Sequence, residues 1–162
     1  MTQREKFFET VGILVEAYLN DTLVHGDPCG CGFGNVVAKK LGAKVVVDAN
    51  YHHADLDRNA RWVNNNSGHR AYNWYEFLRG QESLNLPDNA SGRHQVYMTG
   101  YTINEAIRIE RAFESVINTT GGDEDPDGYE GLMAVVNELA SIHSIDLTER
   151  ESAKLLFKKE SV

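Results

Sequence analysis

Three Thr-x-x-Glu sequences head apolar stretches of helical period in this chain: Thr2-x-x-Glu5, Thr102-x-x-Glu105 and Thr148-x-x-Glu151. In such a box the threonine hydroxyl takes the glutamate amide and the glutamate carboxylate takes the threonine amide. Two backbone donors that a helix start leaves bare are thereby satisfied. Behind the first box, Phe7, Val11, Leu14, Val15 and Tyr18 recur on one face of a helix that ends near 20–24. Behind the second, Ala106, Ile109, Phe113, Val116 and Ile117 do so over 103–118. Behind the third come Ala153, Leu156 and Phe157.

Further helices are expected at three places. Over 35–41, Val36, Val37 and Leu41 point inward, Lys39 and Lys40 suit the C-terminal dipole and Gly42 suits the cap. Over 70–79 a short helix presents Trp74, Phe77 and Leu78. Over 129–144 the apolar residues Leu132, Met133, Val135, Val136, Leu139, Ala140 and Ile142 cover most of the circumference, as in a central helix. A turn or two of helix fits 56–63 as well. Val45-Val46-Val47 is β-branched and fits a short buried strand, with 94–98 as its expected partner, somewhat better than a continuation of helix. The fold class is mainly α: one compact domain over 1–158 with five to six helices, at most a small two-stranded β element, and a frayed tail at 159–162.

The 162 residues carry a net charge of -8, which argues against duplex nucleic acid as a partner, because neutralising phosphates needs a basic surface. Charged residues at the N-terminus precede only the brief apolar run Val11 to Val15, so neither a signal peptide nor a membrane span is expected. The expected location is cytoplasmic, with Cys29 and Cys31 reduced. One intervening residue would strain a disulfide between them.

Both cysteines lie in an elbow between helices, His25-Gly26-Asp27-Pro28-Cys29-Gly30-Cys31-Gly32-Phe33-Gly34-Asn35. As a metal site, His25, Cys29 and Cys31 are zinc-type ligands that His53 or His52 could complete, although Cys-x-Cys is a tight pair for one zinc and zinc is not favoured. As a nucleophile, Cys31 precedes a helix start whose dipole lowers a thiol pKa, and His25 or another of the histidines could serve as base; that describes a cysteine-dependent hydrolase. As a ligand cradle, Gly32, Gly34 and Asn35 offer amides suited to phosphate or carboxylate, although the stretch is neither a P-loop nor a dinucleotide fingerprint. The plainest alternative is a tight turn whose small thiols pack the core.

The stretch 50–94 combines cations with aromatics. Arg58, Arg61, Arg70 and Arg93 stand among Trp62, Tyr72, Trp74 and Tyr75, together with His69 and His94. Guanidinium groups suit phosphate and ring planes suit a base. Asp123-x-Asp125-x-Asp127-Gly128 resembles half of a calcium loop, but Ala134 stands where the bidentate glutamate belongs. Asp127-x-x-Glu130 reads better as an acidic helix start, and His143 as a charge on a helix C-terminus.

Three patches carry a resemblance. They are His25 with Cys29, Cys31 and Gly34-Asn35-Val36-Val37-Ala38; Gly100-Tyr101-Thr102 with Ile109-Glu110-Arg111-Ala112-Phe113-Glu114; and Gly131-Leu132-Met133-Ala134-Val135-Val136 with Ile142-His143. Together they resemble small proteins of gut Bacteroidetes and their phages. The resemblance assigns no residue a role. A phage setting implies proteins that bind or sequester host molecules.

The function expected is a non-enzymatic binding protein for a small anionic ligand, a nucleotide or cyclic nucleotide. Gly32, Gly34 and Asn35 would give amides, Arg58, Arg61, Arg70 and Arg93 charge, and Trp62 or Tyr72 a stacking surface. The alternatives are the hydrolase with Cys31 and His25, and a metal-stabilised interaction protein. The apolar 132–142 helix also leaves room for a homo-oligomer.

Overall fold

The computed structural model describes residues 1–25, 31–42, 45–48, 53–56, 96–117, 125–146 and 148. Its elements are α1 (Gln3–Leu19), α2 (Gly32–Leu41), β1 (Val45–Asp48), β2 (His53–Leu56), α3 (Ile103–Glu114) and α4 (Tyr129–Ile142). The chain is mainly helical, as its periodicity predicts. The expected helices over 70–79 and beyond Thr148 fall outside the described residues.

Both described capping boxes form. Glu5 N donates to Thr2 Oγ1 at 3.1 Å, and Thr2 N to a Glu5 carboxylate oxygen at 3.0 Å. Thr102 and Glu105 repeat the exchange at 3.1 and 2.9 Å. α1 buries Phe7, Val11, Leu14 and Tyr18 with the adjoining row Thr10, Ile13 and Ala17, while Val15 is half-buried. α3 buries Ala106, Ile109, Glu110 and Phe113 and stops at Glu114. Val116 and Ile117 therefore follow the helix rather than belonging to it, and both are half-buried. Ser115 ends the helix and turns its hydroxyl back to the Ala112 carbonyl at 3.2 Å.

α2 begins earlier than its apolar positions suggest. The Cys31 thiol is its N-cap, accepting from Gly34 N at 3.3 Å, so Gly32 and Gly34 lie in the first turn. Gly32 is needed there for close approach: a Cβ would stand 3.3 Å from Phe113 Cβ and Cγ. Gly42 ends the helix at φ 69°.

The strand at 45–48 forms, but with a different partner from the one expected. β1 pairs antiparallel with β2 in the register Val45↔Leu56, Val46↔Asp55, Val47↔Ala54 and Asp48↔His53. Leu56 is therefore strand, not the start of a helix. Residues 96–99 form a helical turn instead of a strand. Closing a hairpin over a few residues costs less chain entropy than pairing across the long stretch to 94–98.

α3 packs on α4, α1 on α2 and α4, and α2 on α3 and α4. The core between them holds Phe7, Leu14, Phe33, Val36, Val37, Ile109, Phe113, Leu132, Val135 and Leu139. Leu132, Val136 and Leu139 of α4 are buried within the chain, while Met133 and Ile142 are half-buried. No helix among the described residues is long and apolar enough to cross a membrane.

Candidate functional site

Five ionisable side chains from separate parts of the chain meet inside this core. His25 follows α1, Cys31 caps α2, Glu110 and Glu114 sit one turn apart on α3, and Asp125 precedes α4. His25 Nε2 lies 2.6 Å from Asp125 Oδ2 and Nδ1 lies 3.3 Å from Glu114 Oε2. A carboxylate only accepts, so satisfying both bonds takes an N–H on each nitrogen: His25 is an imidazolium. Burial opposes that charge, but the bonds to Glu114 and Asp125 and their charges outweigh it, and the pKa is raised above the usual 6.5.

Packing fixes the ring as well. His25 stacks on Phe113 with centroids 4.1 Å apart and planes 11° from parallel. Gly131 makes room for this stack, since a Cβ would lie 2.5 Å from Phe113 Cδ2 and Cε2 and 3.0 Å from His25 Cε1. Asp125 serves two elements at once. It accepts from Glu130 N at 2.9 Å and Gly131 N at 2.8 Å, capping α4 where Gly128 has no side chain to do so. Asp127 takes Tyr129 N at 3.0 Å. These two carboxylates are therefore helix caps, which is the acidic helix start expected from Asp127 and Glu130.

Glu110 is fully buried. Its Oε2 accepts from Phe33 N at 3.2 Å, while Oε1 has no hydrogen-bond partner. Burial, then the Glu114 charge, pushes its pKa up to about 8, against the opposing bonds from Cys31 and Phe33 N. Glu110 is thus a neutral acid at pH 7. Burial also pushes the Cys31 thiol well above its usual range, and the charges of Glu110 and Glu114 act in the same sense.

The elbow residues singled out by type therefore occupy an interior. Cys31, Gly32, Gly34 and Asn35 are all buried. Two of the amides meant for a ligand are already bonded, Gly34 N to the Cys31 thiol and Asn35 N to Cys31 O at 3.0 Å. The Asn35 side chain donates to Thr22 O at 2.9 Å and Cys31 O at 3.0 Å. Gly32, Gly34 and Asn35 are thus corrected from ligand contacts to helix packing. A protonated, buried Cys31 and a doubly bonded His25 are likewise the reverse of a nucleophile and its base.

As metal ligands these residues are no better placed. His25 has no free lone pair, and among the described residues no three His, Cys, Asp or Glu side chains converge as ligands to an ion. His53 lies on β2, and Cys29 lies outside the described residues. So do Arg58, Arg61, Trp62, Arg70, Tyr72 and Arg93.

Reading by residue type missed Glu110 and Glu114, and saw Asp125 only as part of half a calcium loop. Glu110 had a signal: it falls on the apolar face marked by Ala106, Ile109 and Phe113, where a carboxyl is out of place.

His143 belongs to a second buried polar set. Its Nδ1 lies 2.6 Å from Gln3 Oε1 and its Nε2 2.8 Å from the Tyr101 hydroxyl, which lies 2.6 Å from Thr10 Oγ1. Burial, then the Lys6 charge, lowers its pKa, so it is neutral and not the charged dipole partner expected. Burial raises Tyr101 to about 12.

No protein-family model matches this chain, and neither does any curated protein or solved structure.

Proposed function

We propose that the protein is a non-enzymatic binding protein for a small anionic ligand of the nucleotide class. The helical body acts as scaffold, and Arg58, Arg61, Trp62, Arg70, Tyr72 and Arg93 supply charge and stacking. The observation that carries this reading is the inward use of the body's reactive groups: Cys31 keeps its proton and both nitrogens of His25 face carboxylates. Such an arrangement supports a scaffold role for the body. Cation–aromatic chemistry suited to an anion with a ring is concentrated in the sequence that joins β2 to residue 96. Gly32, Gly34 and Asn35 have no part in this version of the site.

Isothermal titration of the full chain with mono-, di- and cyclic nucleotides tests it. Binding heat and a raised melting temperature are expected. Arg61→Gln and Trp62→Ala should each weaken affinity by about tenfold, the scale of one lost charged bond or stacked ring. Absence of heat and of any thermal shift across the nucleotides overturns the reading.

A further inference from the structure

We propose that the Glu110 carboxyl is a proton-operated latch on the start of α2: with its proton it holds the 31–35 turn against α3, and without it that turn is released. This does not depend on the ligand reading above. The geometry carries it. Glu110 is wholly buried, its Oε2 holds the Phe33 amide, and its Oε1 meets no partner. A carboxylic acid keeps the Phe33 bond through its carbonyl oxygen and leaves only a hydroxyl unpaired. A carboxylate leaves a bare anionic oxygen in a medium that cannot solvate it.

Among the described residues, none supplies the missing countercharge. The groups that face this cluster are His25 from the segment after α1, the Cys31 thiol from the α2 cap, Glu114 from the next turn of α3, and Asp125 from the turn before α4. The single imidazolium is already shared by Asp125 and Glu114. A third carboxylate would meet the like charge of Glu114 beside the neutral Cys31 thiol. Relief lies on the α2 side. α3 packs on α4 more broadly than α2 packs on either of them, and the ties of the α2 start include the Phe33–Glu110 bond, the Cys31 cap and the Asn35 side chain beside the burial of Phe33.

The direction in pH follows. Glu110 in the closed state keeps its proton up to about 8, against an ordinary 4.5 once opened to water. Opening therefore rises by about tenfold per pH unit between about 5 and 8 and levels off above. His25, raised by its two carboxylates, adds to opening above about 6.5 as its own proton leaves.

Amide hydrogen exchange of Phe33 and Gly34 in the full chain, corrected for the base-catalysed intrinsic rate, reads this directly. Between pH 5.5 and 6.5 protection in the wild type should fall about tenfold. Glu110→Gln keeps the acceptor and the shape but has no proton to lose, so its protection should stay level over that interval. A level wild type, or an equal slope in E110Q, overturns the latch. Should E110Q fail to fold, the ¹³C shift of the wild-type Glu110 carboxyl decides. Titration above about pH 6.5 supports the latch, and titration below that overturns it.

Discussion

The Cys31 thiol accepts the Gly34 amide at a helix N-terminus, a position where the dipole favours the thiolate. Burial acts against it, and the charges of Glu110 and Glu114 add to burial, so the proton stays on sulfur. In a Cys29→Ser protein, iodoacetamide at about pH 6, where Glu110 keeps its proton, should leave Cys31 unmodified over a time in which the urea-unfolded chain is fully alkylated. Equal rates in the two states would show that the thiol is open to solvent. His25 follows the same logic with opposite sign. Burial alone would strip its proton, and two carboxylates keep it there. In both residues the neighbours, more than the side-chain type, set the charge state.

Between elements, the Gln3–His143–Tyr101–Thr10 series ties the start of α1 to the residue before α3 and the end of α4. With His143 neutral and its Nδ1–H given to Gln3, Nε2 has a lone pair for the Tyr101 hydroxyl. Tyr101→Phe removes that donor and leaves Nε2 buried without a partner. Its cost in urea unfolding should be about 1–3 kcal/mol, with little change in helical circular dichroism. A cost near zero would mean that water or another donor replaces the hydroxyl. Lys6 reinforces the same corner, donating to Gly100 O and standing 5.0 Å above the Tyr101 ring. The helices of this corner are those whose boxes and apolar spacing are plainest in the sequence. α3 is shorter than its spacing suggests, because a Ser115 turn can end a helix while the apolar series runs on.

For the whole molecule, three buried groups give stability a defined shape against pH. Glu110 has a raised pKa, so its contribution is fully present below its ordinary 4.5 and is lost as pH climbs to about 8. The raised His25 contributes fully below 6.5 and loses its share above. His143 is lowered, so its contribution is present above 6.5 and is lost as pH falls. Between about pH 5 and 6.5 Glu110 and His143 oppose each other, whereas from 6.5 to 8 Glu110 and His25 act together. Melting temperature should accordingly drop from about pH 6.5 toward pH 8. In E110Q that drop should be smaller, since only His25 remains to cause it, and a fall toward about pH 5 from His143 should emerge. A wild-type protein that gains stability from pH 6.5 to 8 would refute the charge states assigned to Glu110 and His25.

The helical character, the capped starts of α1 and α3 and most of their inward faces follow from the sequence alone, because caps and periodicity act over a few neighbouring residues. The β1 partner, the burial of the elbow and the roles of His25, Cys31, Glu110 and Asp125 came only from tertiary structure. His25 meets Asp125 across 100 residues and Glu114 across 89, and Phe33 meets Glu110 across 77. A glycine- and cysteine-rich bend reads the same whether it faces water or a core. Which of these it faces depends on the packing of α2 against α3 and α4, and that packing decides which groups carry charge.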